Sequence, residues 1–423
     1  MRQIKPGMGR EKIEITLPGS KSYSHRLLIA AALAEGTSRI TGLLRSEDTL
    51  LTRDALRAMG AKIEDHGESM VVTGVGGRLA PVSEPIYLAN SGTSMRLLTG
   101  IAALGQGETV LTGTPRMQER PLEDLVEALG EAGVMASCVN GTGCPPVQVA
   151  GGCFKGGVVH LDCSISSQFL SSLLLAGVYA EEGIEVRVKG ELVSKPYVEI
   201  TLDIMERFGV KVTHDEAFRV FQVAPGQCFR AGEYHCEPDA SNASYFWAAA
   251  AVSGGTVKVK HVTEASRQGD VGFARVLEKM GCCVVAEEDG ITVTGGLLSG
   301  ITVDMSLMPD VVPTLAVVAA HAKGETHVKN VAHLRAKECD RLGCVATELI
   351  KMGIEATAGE ESLTITGGTL VGSEVETYDD HRMAMSFSVA GLTTEGVRIL
   401  DPGCVKKSFP NYWEVFSQLQ PEG

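Results

Sequence analysis

Gly183-Ile-Glu-Val-Arg-Val188 is a glycine followed by a short run of alternating apolar and polar residues, and the chain carries this form six times. The other copies are Gly36-Thr-Ser-Arg-Ile40, Gly107-Glu-Thr-Val-Leu111, Gly255-Thr-Val-Lys-Val259, Gly324-Glu-Thr-His-Val328 and Gly396-Val-Arg-Ile-Leu400. Differences between the glycine numbers give intervals of 71, 76, 72, 69 and 72 residues. A fixed period of this kind marks a repeat architecture. A second marker, a large apolar residue followed four positions later by Gly, has the same period. It reads Leu56-Arg-Ala-Met-Gly60, Leu129-Gly-Glu-Ala-Gly133, Met205-Glu-Arg-Phe-Gly209, Leu277-Glu-Lys-Met-Gly281 and Leu349-Ile-Lys-Met-Gly353. Each of these glycines is predicted to end a helix in the left-handed conformation, which glycine adopts at little cost. A sixth, degenerate copy is expected near Trp413 to Gly423.

Outward from the two markers, each unit reads as helix, Gly turn, strand, amphipathic helix, Gly cap and further strands. The alternation in Ile184–Val188 and in Val257–Lys260 suits a sheet with one solvated face. Six βαβαββ-like units in two groups of three predict an α/β protein of two similar domains. The first helix of each unit is expected over Ser20–Ala34, Asn90–Leu104, Ser164–Ala180, Asp239–Val252, Asp310–Ala322 and Asp380–Leu392. Several are apolar nearly all round, so they belong inside their domains. Each opens on Ser, Asn or Asp, the residue types that cap helix N-termini.

Lys21, Arg26, Arg96 and Arg382 crowd the first turns of these helices. Cations there oppose the positive end of the helix dipole. They gain when an anion joins them, and helix N-termini are themselves anion sites. Several such ends imply a polyanionic ligand. The plain alternative, that the polar residues only cap helices, fits Asp239 and Ser241 well and the basic residues poorly.

The chain has 423 residues, 44% of them hydrophobic and 21% charged, which fits a two-domain globular enzyme. Its net charge of -14 argues against nucleic acid or an anionic membrane as partner. No apolar stretch is long enough to span a bilayer, and the first residues lack the apolar core of a signal peptide, so a cytoplasmic location is expected. The 11 cysteines show no Cys-x-x-Cys spacing and are expected as reduced thiols, with no metal site.

From Ile13 to Trp413 the chain resembles the 5-enolpyruvylshikimate-3-phosphate synthase family of enolpyruvyl transferases. The resemblance rests on Leu17-Pro-Gly-Ser-Lys-Ser-Tyr-Ser-His-Arg26, Asn90-Ser-Gly-Thr-Ser-Met-Arg96, Pro115-Arg-Met-Gln-Glu-Arg-Pro121 and Ser166-Ser-Gln-Phe169. It continues through Val193-Ser-Lys-Pro-Tyr197, Asp239-Ala-Ser-Asn-Ala-Ser-Tyr-Phe246, Lys337-Glu-Cys-Asp-Arg-Leu342 and Tyr378-Asp-Asp-His-Arg-Met-Ala-Met385. It implies an inverse α/β barrel of two domains with three repeats each and an active site in the cleft between them. The implied domains are residues 1–19 with 237–423, and residues 20–236.

The resemblance also implies the reaction: transfer of the enolpyruvyl group of phosphoenolpyruvate to the 5-hydroxyl of shikimate 3-phosphate, through a tetrahedral intermediate, with release of phosphate. Catalytic roles fall on Asp310 as base and Glu338 as the acid toward C3, with Lys21 as the other proton-transfer candidate. Phosphoenolpyruvate would be held by Lys21, Gly92, Arg120, Gln168, Arg341, Arg382 and Lys407, with Arg96 in support. Shikimate 3-phosphate would be held by Lys21, Ser22, Arg26, Ser166, Ser167, Gln168, Ser194, Tyr197, Asp310, His333 and Lys337. No metal or organic cofactor is called for, and a monomer is expected.

Departures from the common family pattern are His25, Ala89, Leu97, His333, Leu334 and Cys339. An enolpyruvyl transferase acting on UDP-N-acetylglucosamine usually has a reactive Cys in the loop matching Leu111–Arg120, and this loop has none. A non-catalytic anion-binding relative would be expected to lack Asp310 or Glu338, and both are present.

Overall fold

The computed structural model describes residues 1–8 and 12–420. The expected sixth helix-ending marker therefore lies partly outside the described residues. The chain divides into two compact units: a discontinuous one, Met1–Pro18 with Glu237–Gly423, and a continuous one, Gly19–Cys236.

The helices of the continuous unit are α1 (Lys21–Leu33), α2 (Glu47–Ala58), α3 (Gly92–Ala102), α4 (Glu123–Glu131), α5 (Gln168–Gly177) and α6 (Lys195–Arg207). Those of the discontinuous unit are α7 (Ala240–Ser253), α8 (Phe273–Met280), α9 (Val312–Ala320), α10 (Arg341–Lys351), α11 (His381–Ala390) and α12 (Tyr412–Ser417). Among the described residues six small sheets accompany them, five of four strands and one of three. In each four-stranded sheet an outer strand lies parallel to its neighbour, and the remaining pairs are antiparallel. The order along the chain is βαβαββ, repeated.

Two strands join sheets far from their neighbours in sequence. Lys12–Ile15 pairs in parallel with Thr256–Lys260 in the discontinuous unit. Glu233–His235 pairs in parallel with Thr37–Thr41 in the continuous unit. Both strands alternate in burial, as half-buried strands should. The strand Ile184–Lys189 alternates strictly. Thr256–Lys260 does not, because Lys258 is buried and paired with Asp289 at 2.6 Å and Glu287 at 3.2 Å.

The odd-numbered helices form the cores. Every residue of α3, α9 and α11 is buried, as is nearly all of α1, α5 and α7. Helices α3 and α5 pack against each other, and so do α7, α9 and α11 among themselves. Small residues and hydroxyls make the close approach possible. The Ser244 and Thr314 hydroxyls lie 3.2 Å apart, and Thr314 and Ser386 3.1 Å, so one hydroxyl chain joins the three inner helices of the discontinuous unit.

The second sequence marker has a clear structural meaning. In all five copies the residue after the glycine donates its backbone N–H to the carbonyl of the large apolar residue. The pairs are Ala61 to Leu56, Val134 to Leu129, Val210 to Met205, Cys282 to Leu277 and Ile354 to Leu349, at 2.8–3.0 Å. This is the six-to-one bond of a Schellman ending, and all five glycines have positive φ. At the other marker one position differs: the left-handed residue before Thr256 is Gly254, and Gly255 is not left-handed.

The expected caps need correction. Asp239 and Asp380 do accept from helix N–H groups, of Asn242 at 2.8 Å and Arg382 at 2.9 Å. Ser20 makes no side-chain cap bond. Ser91, not Asn90, caps α3. Helix α5 starts at Gln168, four residues after Ser164. Asp310 lies in a 3-10 turn, Pro309–Val311, ahead of α9. Asn90 and Asp310 spend their side-chain oxygens on guanidinium groups instead.

Gly100 in α3 tests the packing. A Cβ there would come within 2.5 Å of the Ser172 hydroxyl and 3.0 Å of its carbonyl oxygen. In an open helix, Gly to Ala gains about 1 kcal/mol. Here the clash reverses the sign, and Gly100→Ala is expected to lower stability by about 1–3 kcal/mol, measured by urea unfolding.

Candidate active site

The expected site residues fall in both units, some at the N-terminal ends of helices and others in the short turns between elements. In the continuous unit Lys21 opens α1 and pairs with buried Asp48 at 3.3 Å. A hydroxyl chain runs behind it: His25 Nδ1 to Thr52 at 2.8 Å, Thr52 to Ser94 at 2.8 Å and Ser94 to Ser91 at 2.7 Å. It ties α1, α2 and α3 together under the first turn.

Arg26 is 1% exposed. Its Nε donates to Thr201 at 2.7 Å, Nη1 to the Ser22 carbonyl at 2.9 Å, and Nη2 to Tyr197 O at 3.1 Å and Ser171 at 3.3 Å. All these acceptors are neutral, and burial pushes the guanidinium pKa down to about 10. A buried cation held only by neutral groups favours an incoming anion. The Ser22 and Tyr197 backbones are thereby fixed by Arg26.

Ser166, Ser167 and Ser194 are buried together. Ser167 reaches the Ser194 carbonyl at 3.4 Å, and Ser166 accepts from the Gln168 N–H at 3.3 Å. Ser194 has φ 53, a left-handed conformation unusual for serine. The Gln168 side chain donates to Thr93 at 2.9 Å and accepts from Arg96 at 3.1 Å. This fixes which end of its amide faces each neighbour, and it gives Arg96 the supporting place expected for it.

Arg120 donates from Nη1 to both oxygens of Asn90 at 3.2 Å. Its buried Nε has no hydrogen-bond partner among the described residues. Gly92 lies directly against it: a Cβ there would meet Arg120 Nη2 at 2.4 Å and Cζ at 2.6 Å. The space left by Gly92 thus belongs to the arginine. Ala89, just before Asn90, is held at φ 45. An alanine in this region costs roughly 1 kcal/mol.

In the discontinuous unit one guanidinium organises the site. Arg341, 2% exposed, opens α10. It pairs with Asp380 at 2.7 Å, Glu338 at 2.8 Å and Asp310 at 2.9 Å. Burial works against its charge, but Asp380, Glu338 and Asp310 together outweigh that and raise its pKa. The second oxygen of Asp310 accepts from Arg382 at 2.6 Å, and Arg382 also reaches the Tyr245 hydroxyl at 3.3 Å. Glu338 is 8% exposed, not the helix-surface carboxylate that its charge-rich sequence surroundings suggest.

Lys337 is half-buried just after the turn Ala332–Ala336, which packs on α10. Lys407 is buried in the turn Pro402–Lys407, which packs on α11.

Three groups escaped the sequence reading. Asp48 pairs with Lys21. Tyr245 holds Arg382. Asp380, read from sequence only as a cap, also binds Arg341 through both oxygens, the longer bond at 3.3 Å. The available signal was its place beside His381-Arg382 in a buried helix start.

His333 is buried, and its pKa is lowered to about 3 by burial first and then by Lys337, with Asp310 opposing. Below about pH 6.5 the unfolded chain gains a proton here that the folded protein refuses, so this position weakens the fold in acid. Its ring signals by NMR are expected to stay unchanged between about pH 8 and about pH 5. A midpoint near 6.5 would contradict this environment.

The family model described as EPSP synthase (3-phosphoshikimate 1-carboxyvinyltransferase) matches residues 7–416. The 3-phosphoshikimate 1-carboxyvinyltransferase of Serratia proteamaculans is 46% identical over 411 residues, covering 96% of this chain and 95% of that one. The protein of the same name from a Sulfurovum species is 47% identical over 413 residues, covering 96% of each. The solved EPSP synthase of Acinetobacter baumannii superposes with a TM-score of 0.81 at 32% identity, over 99% of this chain and 97% of that one. Built from five βαβαββ units and a sixth that lacks the two closing strands among the described residues, with arginine and carboxylate brought to helix starts, the chain belongs to the EPSP synthase (3-phosphoshikimate 1-carboxyvinyltransferase) family.

Proposed function

We propose that this chain transfers the enolpyruvyl group of phosphoenolpyruvate to the 5-hydroxyl of shikimate 3-phosphate, in the pathway that leads to chorismate and the aromatic amino acids. The observation that carries the assignment of roles is the single guanidinium of Arg341, which holds Asp310 at 2.9 Å and Glu338 at 2.8 Å. The addition half needs a group to take the hydroxyl proton and another to give a proton to C3. Two carboxyl groups fixed on one arginine supply a base and an acid in a constant relation.

In the addition, Asp310 accepts the 5-hydroxyl proton as the hydroxyl oxygen bonds to C2, and Glu338, which enters this step in its protonated form, gives that proton to C3. The product is a tetrahedral phospho-ketal. In the elimination, Glu338 takes a proton back from C3, the double bond re-forms, and the C2–O bond to phosphate breaks. The departing phosphate takes up the proton held by Asp310. Arg120, Arg341, Arg382, Lys21 and Lys407 meet the phosphate and carboxylate of phosphoenolpyruvate, because arginine forks suit both groups. Arg26, Ser22, Ser166, Ser167, Ser194, Tyr197, His333 and Lys337 meet shikimate 3-phosphate. Arg26, buried among neutral acceptors, is suited to an anionic ligand. Lys21, paired with Asp48, is assigned here to anion binding first. A cytoplasmic monomer belongs to the same reading and rests on the family resemblance.

Phosphate release, measured with each substrate omitted in turn, is expected only when both are present. Asp310→Asn and Glu338→Gln are each expected to lower kcat by about a hundredfold or more while the fold persists. Release from phosphoenolpyruvate alone would contradict the transfer reaction.

A further inference from the structure

Asp270 lies in the 3-10 turn Gly269–Gly272, ahead of α8. This turn packs against α7, α8 and the turn Pro309–Val311 that carries Asp310. The Asp270 side chain is buried, at 4% exposure. Its Oδ2 accepts a hydrogen bond from the Ser241 hydroxyl. Its Oδ1 is buried and has no hydrogen-bond partner among the described residues.

The surroundings give a negative charge little support. The α7 side offers the Ser241 hydroxyl and the Asp239 carboxylate, which already caps the helix. The Pro309–Val311 turn offers Asp310, and α11 offers Arg382, whose Nη2 is bonded to Asp310 at 2.6 Å. On α8, Arg275 is bonded to Glu264 and Glu278 at the surface. One hydroxyl is poor solvation for a buried carboxylate, so the neutral acid is the form the cluster favours.

We propose that Asp270 holds a proton in the resting enzyme and acts through Asp310, as a carboxyl on the adjoining turn that sets how readily Asp310 accepts a proton. This rests on the assignment of Asp310 as the base. Two guanidiniums stabilise the Asp310 anion, which makes it content to stay ionised. A neighbouring carboxyl works in the opposite direction once it loses its own proton. Asp270 is buried and acts through Asp310, so it is a positioning residue. The titration follows the same logic: burial first, then the charge of Asp310, raises the Asp270 pKa to about 7, with Arg382 opposing. The switch therefore falls in the neutral range.

An acid whose folded pKa is raised ionises first in the unfolded chain, so stability is lost as pH rises from the ordinary aspartate range to about 7. Asp270→Asn, a neutral group of the same shape, avoids that loss. It is expected to melt above the wild type at pH values beyond neutrality, and the gap is expected to close as pH falls toward the ordinary aspartate range.

The deciding experiment is the pH profile of kcat for the wild type and Asp270→Asn. The wild type is expected to show an inflection near neutrality that the variant lacks. Above it, the variant is expected to run several-fold slower than the wild type. An unchanged inflection in a folded, active variant would overturn the proposal, as would a folded variant without activity on the acid side. Infrared spectra of the wild type test the proton directly and need no turnover. A protonated-carboxyl band that disappears through neutrality supports the assignment, and the absence of any such band at mildly acidic pH refutes it. A wild type without activity would refute the transfer reaction and leave this infrared result standing on its own.

Discussion

The Arg341 guanidinium is buried, and three carboxylates from three other places in the chain converge on it. Asp310 comes from the turn before α9, Glu338 from the segment before α10, and Asp380 from the start of α11. Such a cluster is not the cheapest way to fill a core, because desolvating charges costs several kcal/mol per ion before pairing returns any of it. What it provides is position. Each carboxylate has a direction fixed by the same planar fork, and Arg382 is fixed in turn by Asp310. Charges arranged before the substrates arrive need little reorganisation during the reaction. The fold serves this arrangement by placing apolar, closely packed helices so that their N-terminal turns carry the charged groups.

The same logic operates in the continuous unit with different parts. Arg26 is set among neutral oxygens, Arg120 against Asn90 and Gly92, and Gln168 between Thr93 and Arg96. Two departures from the family pattern acquire a physical meaning here. Ala89 adopts φ 45, so the local fold enforces a conformation that alanine resists. The Cys339 thiol lies 3.6 Å from Asp380 Oδ2, where it donates weakly to the carboxylate that holds Arg341.

Local features were the most legible in the sequence. The Leu56-to-Gly60 type of marker encodes a Schellman ending within six residues, so its five copies could be read without any tertiary knowledge. The period of the repeats carried the architecture for the same reason. Long-range roles were less legible. Asp380 has the residue type and place of a cap and does cap α11, but its bond to Arg341 spans 39 positions. Asp310 and Asn90 look like caps and are diverted to arginines. Asp270 has no sequence signal, since its character comes from burial beside Asp310. The family resemblance supplied the identities of Asp310, Glu338 and Arg341, and the structure supplied the bonds among them.

Charge at Asp380, rather than its capping bond, keeps the Arg341 cluster ready for chemistry, and the rate of phosphate release by Asp380→Asn measures this. Asparagine caps helices as well as aspartate does, so the fold should survive by circular dichroism. A folded protein whose kcat falls by about tenfold or more is expected, as one charge-assisted anchor of Arg341 is lost. A folded variant with the full wild-type rate would contradict it.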